Sequence, residues 1–199
     1  MAPIPFSGQR NALSREEAIE HYIVLRLRAE DINRLDFLVR GFYDGTIQVP
    51  NGSPFTRADL RDTARTAFFG WFATLTDRDG RTVYAFDPLY VLFPDKRAAI
   101  HKVQVECEVC HGPLQQFRNN VAFHSRSDIA YHIKARQALV HDDTFMDLEF
   151  ARKDFQRLMA DLVSEELVAI PELPNVLDQL GVSRHPAFAN VCSTTNVRH

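Results

Sequence analysis

Two helix-start signals, each followed by apolar residues at helical spacing, constrain the fold more than any other feature of the chain. Ser14 stands three residues before Glu17, and Thr56 stands three residues before Asp59. In such a capping box, the hydroxyl accepts from the backbone N–H of the acidic residue, whose carboxylate accepts from the N–H of the capping residue. Apolar residues then recur at nearly helical spacing after both starts. The sequence therefore predicts two long amphipathic helices in its first 80 residues.

The first of these helices is expected to end between Gly41 and Gly45, either as one helix or as two that break near Asp31. The second carries Phe68, Trp71 and Phe72, large rings at the spacing of a buried helix face. These aromatic residues are therefore predicted to belong to the core.

Two short segments have the composition of strands. Thr46 to Val49 lies in a Gly-, Pro- and Asn-containing loop, and 81–94 is apolar and interrupted by proline. The second segment could also be a short strand followed by a turn of helix. A minor β-hairpin is thus all the β-structure that the sequence predicts.

A third long helix is predicted to start near Asp95 and to end close to Arg118–His124. Gly112-Pro113 lies inside it, and proline both lacks a backbone donor and clashes with the preceding turn, so the helix should kink or restart there. Further helices are predicted over 127–139, 144–169 and 175–180. The predicted architecture is an all-α bundle of four to five main helices in a single domain, 1–199, with a flexible C-terminal tail over 183–199.

Composition excludes several classes of protein. The chain of 199 residues is 45% hydrophobic with a formal net charge of -3, which suits one globular domain and gives no global attraction to nucleic acid. No apolar run approaches the roughly 20 residues of a membrane span, and the first residues lack the pattern of a signal peptide. Three cysteines do not suggest a disulfide framework. The sequence predicts a cytoplasmic protein with no membrane association.

Charge is unevenly distributed along the second half of the chain. Residues 95–141 contain seven Lys or Arg against four Asp or Glu, whereas 142–179 contains three against ten. The simplest interpretation is that helices from these two segments have complementary charged faces.

One short motif suggests haem or metal chemistry. Cys107, Cys110 and His111 form the C-x-x-C-H sequence to which c-type haem is attached. That chemistry normally occurs outside the cytoplasm, and both cysteines lie in a helical apolar pattern in which they can act as small hydrophobic residues. A zinc site would need further ligands, because one C-x-x-C provides only half of a site. We therefore expect no cofactor, and a metal-binding helical bundle is the third-ranked hypothesis.

A second motif follows directly. In the stretch FRNNVAFH, Arg118 and Asn119 precede His124 with four residues between Asn119 and His124. This pattern, at the end of a long helix in an all-α chain, resembles the signature of the HEPN-domain family. The resemblance covers the motif and the helical layout. It implies a HEPN-like bundle that acts as a metal-independent RNA endonuclease, with Arg118, Asn119 and His124 in the site. It further implies a homodimer, RNA as a partner, and in some members an antitoxin partner.

The residue types suit that chemistry. Histidine has an ordinary pKa of about 6.5, so it can remove a proton from a 2′-OH at neutral pH, and arginine stabilises the charge that develops on a phosphate. Six residues along a straight helix leave two side chains about 120° apart, so Arg118 and His124 converge only if the helix ends between them or a second copy supplies the partner. The pair Arg126 and His132 has the same spacing without the asparagine and serves as a natural decoy.

The hypothesis ranked second keeps the helical fold without the catalysis. In it, the chain is a non-catalytic binding or regulatory protein, and Arg118 and Asn119 merely finish a helix. The sequence leaves this alternative open.

Overall fold

A computed structural model describes residues 13–76, 85–117 and 142–191 of the chain, and every structural statement below refers to them. They form α-helices and short 3-10 helices without a β-strand, so the predicted all-α fold is confirmed. The helices are α1 (Arg15–Asp44), α2 (Arg57–Ala73), α3 (Asp87–Leu92), α4 (Arg97–Val109), α5 (His111–Phe117), α6 (Asp142–Ala169) and α7 (Leu173–Gln179), with 3-10 turns at Pro94–Lys96 and Pro186–Phe188. The predicted helix over 127–139 lies outside the described residues.

Both predicted capping boxes are present. The backbone N–H of Glu17 donates to Ser14 Oγ at 3.2 Å, and the N–H of Ser14 donates to the Glu17 carboxylate at 2.9 Å. At α2, the N–H of Thr56 donates to Asp59 at 2.8 Å, and the N–H of Asp59 donates to the Thr56 hydroxyl at 3.1 Å. After its cap, α1 runs for 30 residues without interruption, so it does not break near Asp31.

The end of α1 turns the chain back on itself. Gly45 adopts a left-handed conformation with φ of 81° and donates its N–H to Gly41 O at 3.1 Å. The N–H of Ile47 donates to the same carbonyl at 3.0 Å, and its side chain lies against Gly41 where a β-carbon would collide with it. Because these contacts fold Thr46 to Val49 onto the end of the helix, this segment forms a bend and irregular coil and not the predicted strand.

The core lies between α1, α2, α3 and α6. Helix α1 packs against α2 and α3 along much of its length, and α4 packs against α6. Phe68 and Phe72 are buried as predicted, whereas Trp71 is 37% exposed. Phe69, which the spacing did not assign to the core, is buried. The largest fully buried aromatic side chains are Tyr22, Phe72, Phe86, Phe155 and Phe188.

The predicted helix break near Gly112-Pro113 is also present. Helix α4 ends at Val109, α5 begins at His111, and Cys110 forms the junction. Pro113 therefore lies in the first turn of α5, where a missing backbone N–H costs no hydrogen bond.

Helix α6 starts two residues before the predicted position and ends at the predicted Ala169. Its charged face meets cations of α4 and of the 3-10 turn before it: Lys96 of the turn contacts Glu165 at 2.6 Å, and Lys102 of α4 contacts Asp154 at 2.7 Å. The predicted complementarity of the two segments is confirmed for these pairs. The apolar side chains that α6 buries include Leu148, Phe155, Leu158, Met159 and Leu162.

The C-terminal segment departs from the predicted tail. Its described part, 183–191, contains the 3-10 helix Pro186–Phe188 and buries Phe188 and Val191 completely against the core. This part therefore packs as an integral element of the fold. None of the described helices combines the length and apolarity that a membrane-spanning helix needs.

Candidate functional site

The three residues predicted to form the catalytic site lie outside the described part of the chain. Arg118, Asn119 and His124 follow directly on α5, whose last residue is Phe117. The ring of Phe117 is buried and meets the ring of Phe69 edge-on, with the centroids 5.3 Å apart. The described structure thus fixes the helix that leads into the motif and packs it against α2.

The C-x-x-C-H motif contributes to the core. Cys107 and Cys110 are both buried, and burial raises the pKa of each thiol, that of Cys110 to about 12. The Cys110 thiol lies 3.9 Å from Glu106 O, as expected of a thiol that donates weakly to its own helix. The thiolate, and not the thiol, is the form of cysteine that binds a metal ion. Among the described residues, no group of three His, Cys, Asp or Glu is arranged to hold a metal ion.

The described helices enclose a groove of about 800 Å³ between the last turns of α1, α2 and the start of α6. Phe68, Phe69 and Leu148 form its apolar floor. The remaining lining residues are Asp36, Val39, Arg40, Tyr43, Asp44, Arg61, Arg65, Glu149, Phe150 and Lys153.

The groove exists because the inward face of α1 changes its chemistry along the helix. Tyr22, Ala29, Asp36 and Tyr43 recur every seven residues and so lie on nearly the same face. The first two are buried in the core, whereas Asp36 is only half-buried and Tyr43 is 77% exposed. Charged and polar groups cannot be buried without partners, so the bundle stays open where they replace apolar ones.

Arg152 supports one wall of this groove by hydrogen bonds to two carboxylates that line it. Its almost fully buried guanidinium donates to Asp36 at 2.9 Å, to Glu149 at 2.9 Å and to Gln156 at 2.6 Å. Arg40 reaches the same two carboxylates, at 3.1 Å and 3.3 Å. The network therefore links α1 to α6 by charge-assisted hydrogen bonds across the lip of the groove.

The same network perturbs the titration of Glu149. Burial by itself raises the pKa of this carboxyl group, but the hydrogen bond and charge of Arg152, together with the charges of Arg40 and Lys153, outweigh it. The pKa of Glu149 is consequently lower than its ordinary value. The carboxylates of this wall are thus engaged by neighbouring cations.

The α2 wall carries an excess of positive charge. Arg61 and Arg65 lie one helical turn apart and both contact the single carboxylate of Asp62, at 3.2 Å and 3.4 Å. Lys153 adds a cation from α6. Two partly exposed rings border this charge, Tyr43 from α1 and Phe150 from α6, which is 58% exposed.

A second polar cluster lies at the other end of α1 and is closed. The carboxylate of Glu166 is fully buried and accepts hydrogen bonds from the Tyr22 hydroxyl at 2.8 Å and from Asn190 at 3.1 Å. Arg26 lies 3.6 Å from Glu166 and donates to the carbonyl of Ala187. Burial, and then the charge of Glu166, raises the pKa of Tyr22. We call these residues the C-terminal clamp, because they hold the last described segment against α1 and α6.

Sequence reasoning did not find the groove. Its walls join residues that are far apart in the chain, such as Arg152 and Asp36, which are 116 positions apart. One local signal was available, since Asp36 and Arg40 interrupt the apolar stripe of a helix that is otherwise buried on that face.

Comparison of the chain with protein-family models, with curated proteins and with solved structures found no match.

Proposed function

We propose that this chain is a metal-independent RNA endonuclease that acts as a homodimer, with Arg118, Asn119 and His124 in its catalytic site. The observation that carries this proposal is the Arg118-Asn119…His124 motif itself. Its position agrees with the proposal, because the motif follows directly on a helix, α5, of an all-α protein.

The proposed reaction needs only these side chains and the RNA. His124 removes the proton from a 2′-OH, and the 2′-oxygen attacks the adjacent phosphorus. Arg118 stabilises the extra negative charge on the phosphate oxygens, and Asn119 orients the site. The bond from phosphorus to the 5′-oxygen then breaks, and that oxygen takes up a proton. The products are a 2′,3′-cyclic phosphate and a free 5′-hydroxyl.

A homodimer supplies the convergence that a single helix does not. Side chains six residues apart on a straight helix point about 120° away from each other. Two copies arranged about a two-fold axis would bring two Arg118 and His124 pairs to one cleft. We therefore expect the active species to be a dimer, which sedimentation velocity can measure.

The decisive experiment compares the motif with its decoy. Arg118→Ala and His124→Ala should each lower the cleavage rate of single-stranded RNA by on the order of 10²-fold or more, because they remove charge stabilisation and proton transfer respectively. Activity should survive EDTA, and the products should carry 2′,3′-cyclic phosphate ends.

The matched control is Arg126→Ala with His132→Ala, which has the same spacing and should change the rate little. Equal losses at motif and decoy, or cleavage that EDTA abolishes, would overturn the mechanism.

The second candidate is a non-catalytic binding or regulatory protein of the same fold. The observation that favours it is the groove, which offers charged and aromatic side chains on described helices. If the folded dimer cleaves no RNA and His124→Ala leaves its binding properties unchanged, this candidate becomes the better one.

A further inference from the structure

Two features of the groove indicate that it can bind a ligand. Its floor is apolar, while Tyr43 and Phe150 expose most of their rings at its rim from two different helices. Rings that remain exposed gain nothing from core burial, but they offer flat faces on which planar groups can stack. Its volume of about 800 Å³ lies within the range of pockets that hold small organic ligands.

The charge of the groove indicates the class of ligand. Two of the three acids on the α1 and α6 wall, Asp36 and Glu149, accept from Arg152 and Arg40. The third, Asp44, accepts from the backbone N–H and the hydroxyl of Thr46. On the α2 wall, two guanidiniums share the one carboxylate of Asp62. A planar guanidinium fork suits phosphate oxygens, so this wall can accept an anion that carries phosphate.

We propose that this groove binds a single-stranded segment of RNA, with bases stacked on Tyr43 and Phe150 and phosphates held by Arg61 and Arg65. Alternating stacking platforms and cations are the usual means by which proteins hold single strands without reading their sequence. The inference rests on the proposed function, because it supplies the substrate track of that same nuclease. Phe69 lines the groove floor and packs against Phe117, which immediately precedes Arg118 in the chain.

The test measures binding separately from cleavage. In the His124→Ala background, fluorescence anisotropy with a labelled single-stranded RNA of mixed sequence gives the dissociation constant. Arg61→Glu with Arg65→Glu should weaken binding at least 10-fold and should reduce the slope of log K against log salt by about 1.4, as expected for two lost phosphate contacts on a single strand. Tyr43→Ala and Phe150→Ala should each weaken it by about 5- to 100-fold through lost stacking.

The matched control is Arg34→Glu with Arg157→Glu. Both arginines are exposed and lie outside the groove, and each forms an ion pair with a residue of its own helix. This double variant changes the net charge by the same amount as Arg61→Glu with Arg65→Glu. This double variant should bind RNA within about 2-fold of the parent at moderate salt. Thermal denaturation of each variant should verify that the fold is retained.

Two results would overturn the inference. One is equal binding by the groove and control variants. The other is binding of an acidic peptide, but not of RNA, in a manner that depends on Arg61 and Arg65, which would assign the groove to a protein partner.

Failure of the inference and failure of the proposed function are distinguishable. Cleavage by the wild type with unaltered RNA binding in the groove variants would refute the groove alone. Groove-dependent RNA binding by a wild type that cleaves nothing would refute the nuclease alone.

Discussion

The two halves of α1 have the same inward spacing and opposite outcomes. In the first half, Tyr22 and Arg26 are buried as members of the C-terminal clamp and contact Glu166, which has no exposed surface. In the second half, Asp36 and Tyr43 continue the same stripe but line an open groove. The difference shows that a helical period determines which face turns inward, whereas the chemistry of that face determines whether the interior closes.

A nearly buried arginine lies against each half of α1, Arg26 from α1 itself and Arg152 from α6, and the two are supported differently. Arg26 depends chiefly on Glu166 and on the carbonyl of Ala187, whereas Arg152 distributes its hydrogen bonds over Asp36, Glu149 and Gln156. Removing one hydrogen-bond partner of the arginine should therefore lower the free energy of unfolding more at the clamp than at the groove.

The largest effect on stability is expected for Glu166→Ala. The change leaves the Arg26 charge and the Tyr22 hydroxyl buried without their partner, which should lower the free energy of unfolding by about 3–5 kcal/mol. Equilibrium urea denaturation measures it. The control is Glu165→Ala, one position earlier on the surface, which should leave stability nearly unchanged. A loss below about 1 kcal/mol for Glu166→Ala would contradict the expectation that the buried Arg26 and Tyr22 depend on Glu166 as their partner.

An intermediate effect is expected for Arg152→Met. Methionine keeps the apolar part of the side chain, but Asp36 and Glu149 lose their shared donor. Because both carboxylates are partly exposed and retain Arg40, the loss should be about 1–3 kcal/mol. The comparison variant Arg157→Met removes an exposed arginine of α6 and should cost little. If Arg152→Met lowered the free energy of unfolding more than Glu166→Ala, the expectation that the clamp is more sensitive than the groove would be wrong.

The smallest effect concerns acid. Since the pKa of Glu149 is lowered in the folded protein, its contribution is present above the ordinary glutamate pKa of about 4.3 and is lost as pH falls through the lower folded value. Screening should limit this contribution to about 1 kcal/mol or less. Glu149→Gln should thus be less stable than the wild type at pH 6, and the difference should shrink below about pH 4. A difference that is constant from pH 6 to pH 3 would contradict the assigned role of this carboxylate.

What could be predicted from sequence was local. The capping boxes at Ser14 and Thr56 act over three residues, so their presence in the chain was nearly sufficient to place the helix starts. The break between α4 and α5 was likewise predictable from Gly112-Pro113. The resemblance on which the catalytic residues rest, Arg118, Asn119 and His124, remains a sequence prediction.

What could not be predicted depends on distant contacts. Phe188 lies in the segment that was predicted to be a flexible tail, and no spacing rule identified its contact beneath the Arg26 guanidinium, where it is fully buried. Trp71 was assigned to the core from spacing alone, although its side chain is 37% exposed. The groove arises from long-range pairs of charges, whose partners no spacing rule identifies.

The buried thiols of Cys107 and Cys110 can report transient opening of the core in the native protein. A thiol that is inaccessible and protonated reacts with an alkylating reagent only during the moments when α4 separates from its neighbours. The rate at which Cys107 is alkylated would therefore report how often the core opens in the native protein, without an engineered cysteine. Cys107 lies in α4, and Cys110 forms the junction with α5, the helix that precedes Arg118. The same labelling rate would therefore show whether the core loosens when RNA is bound.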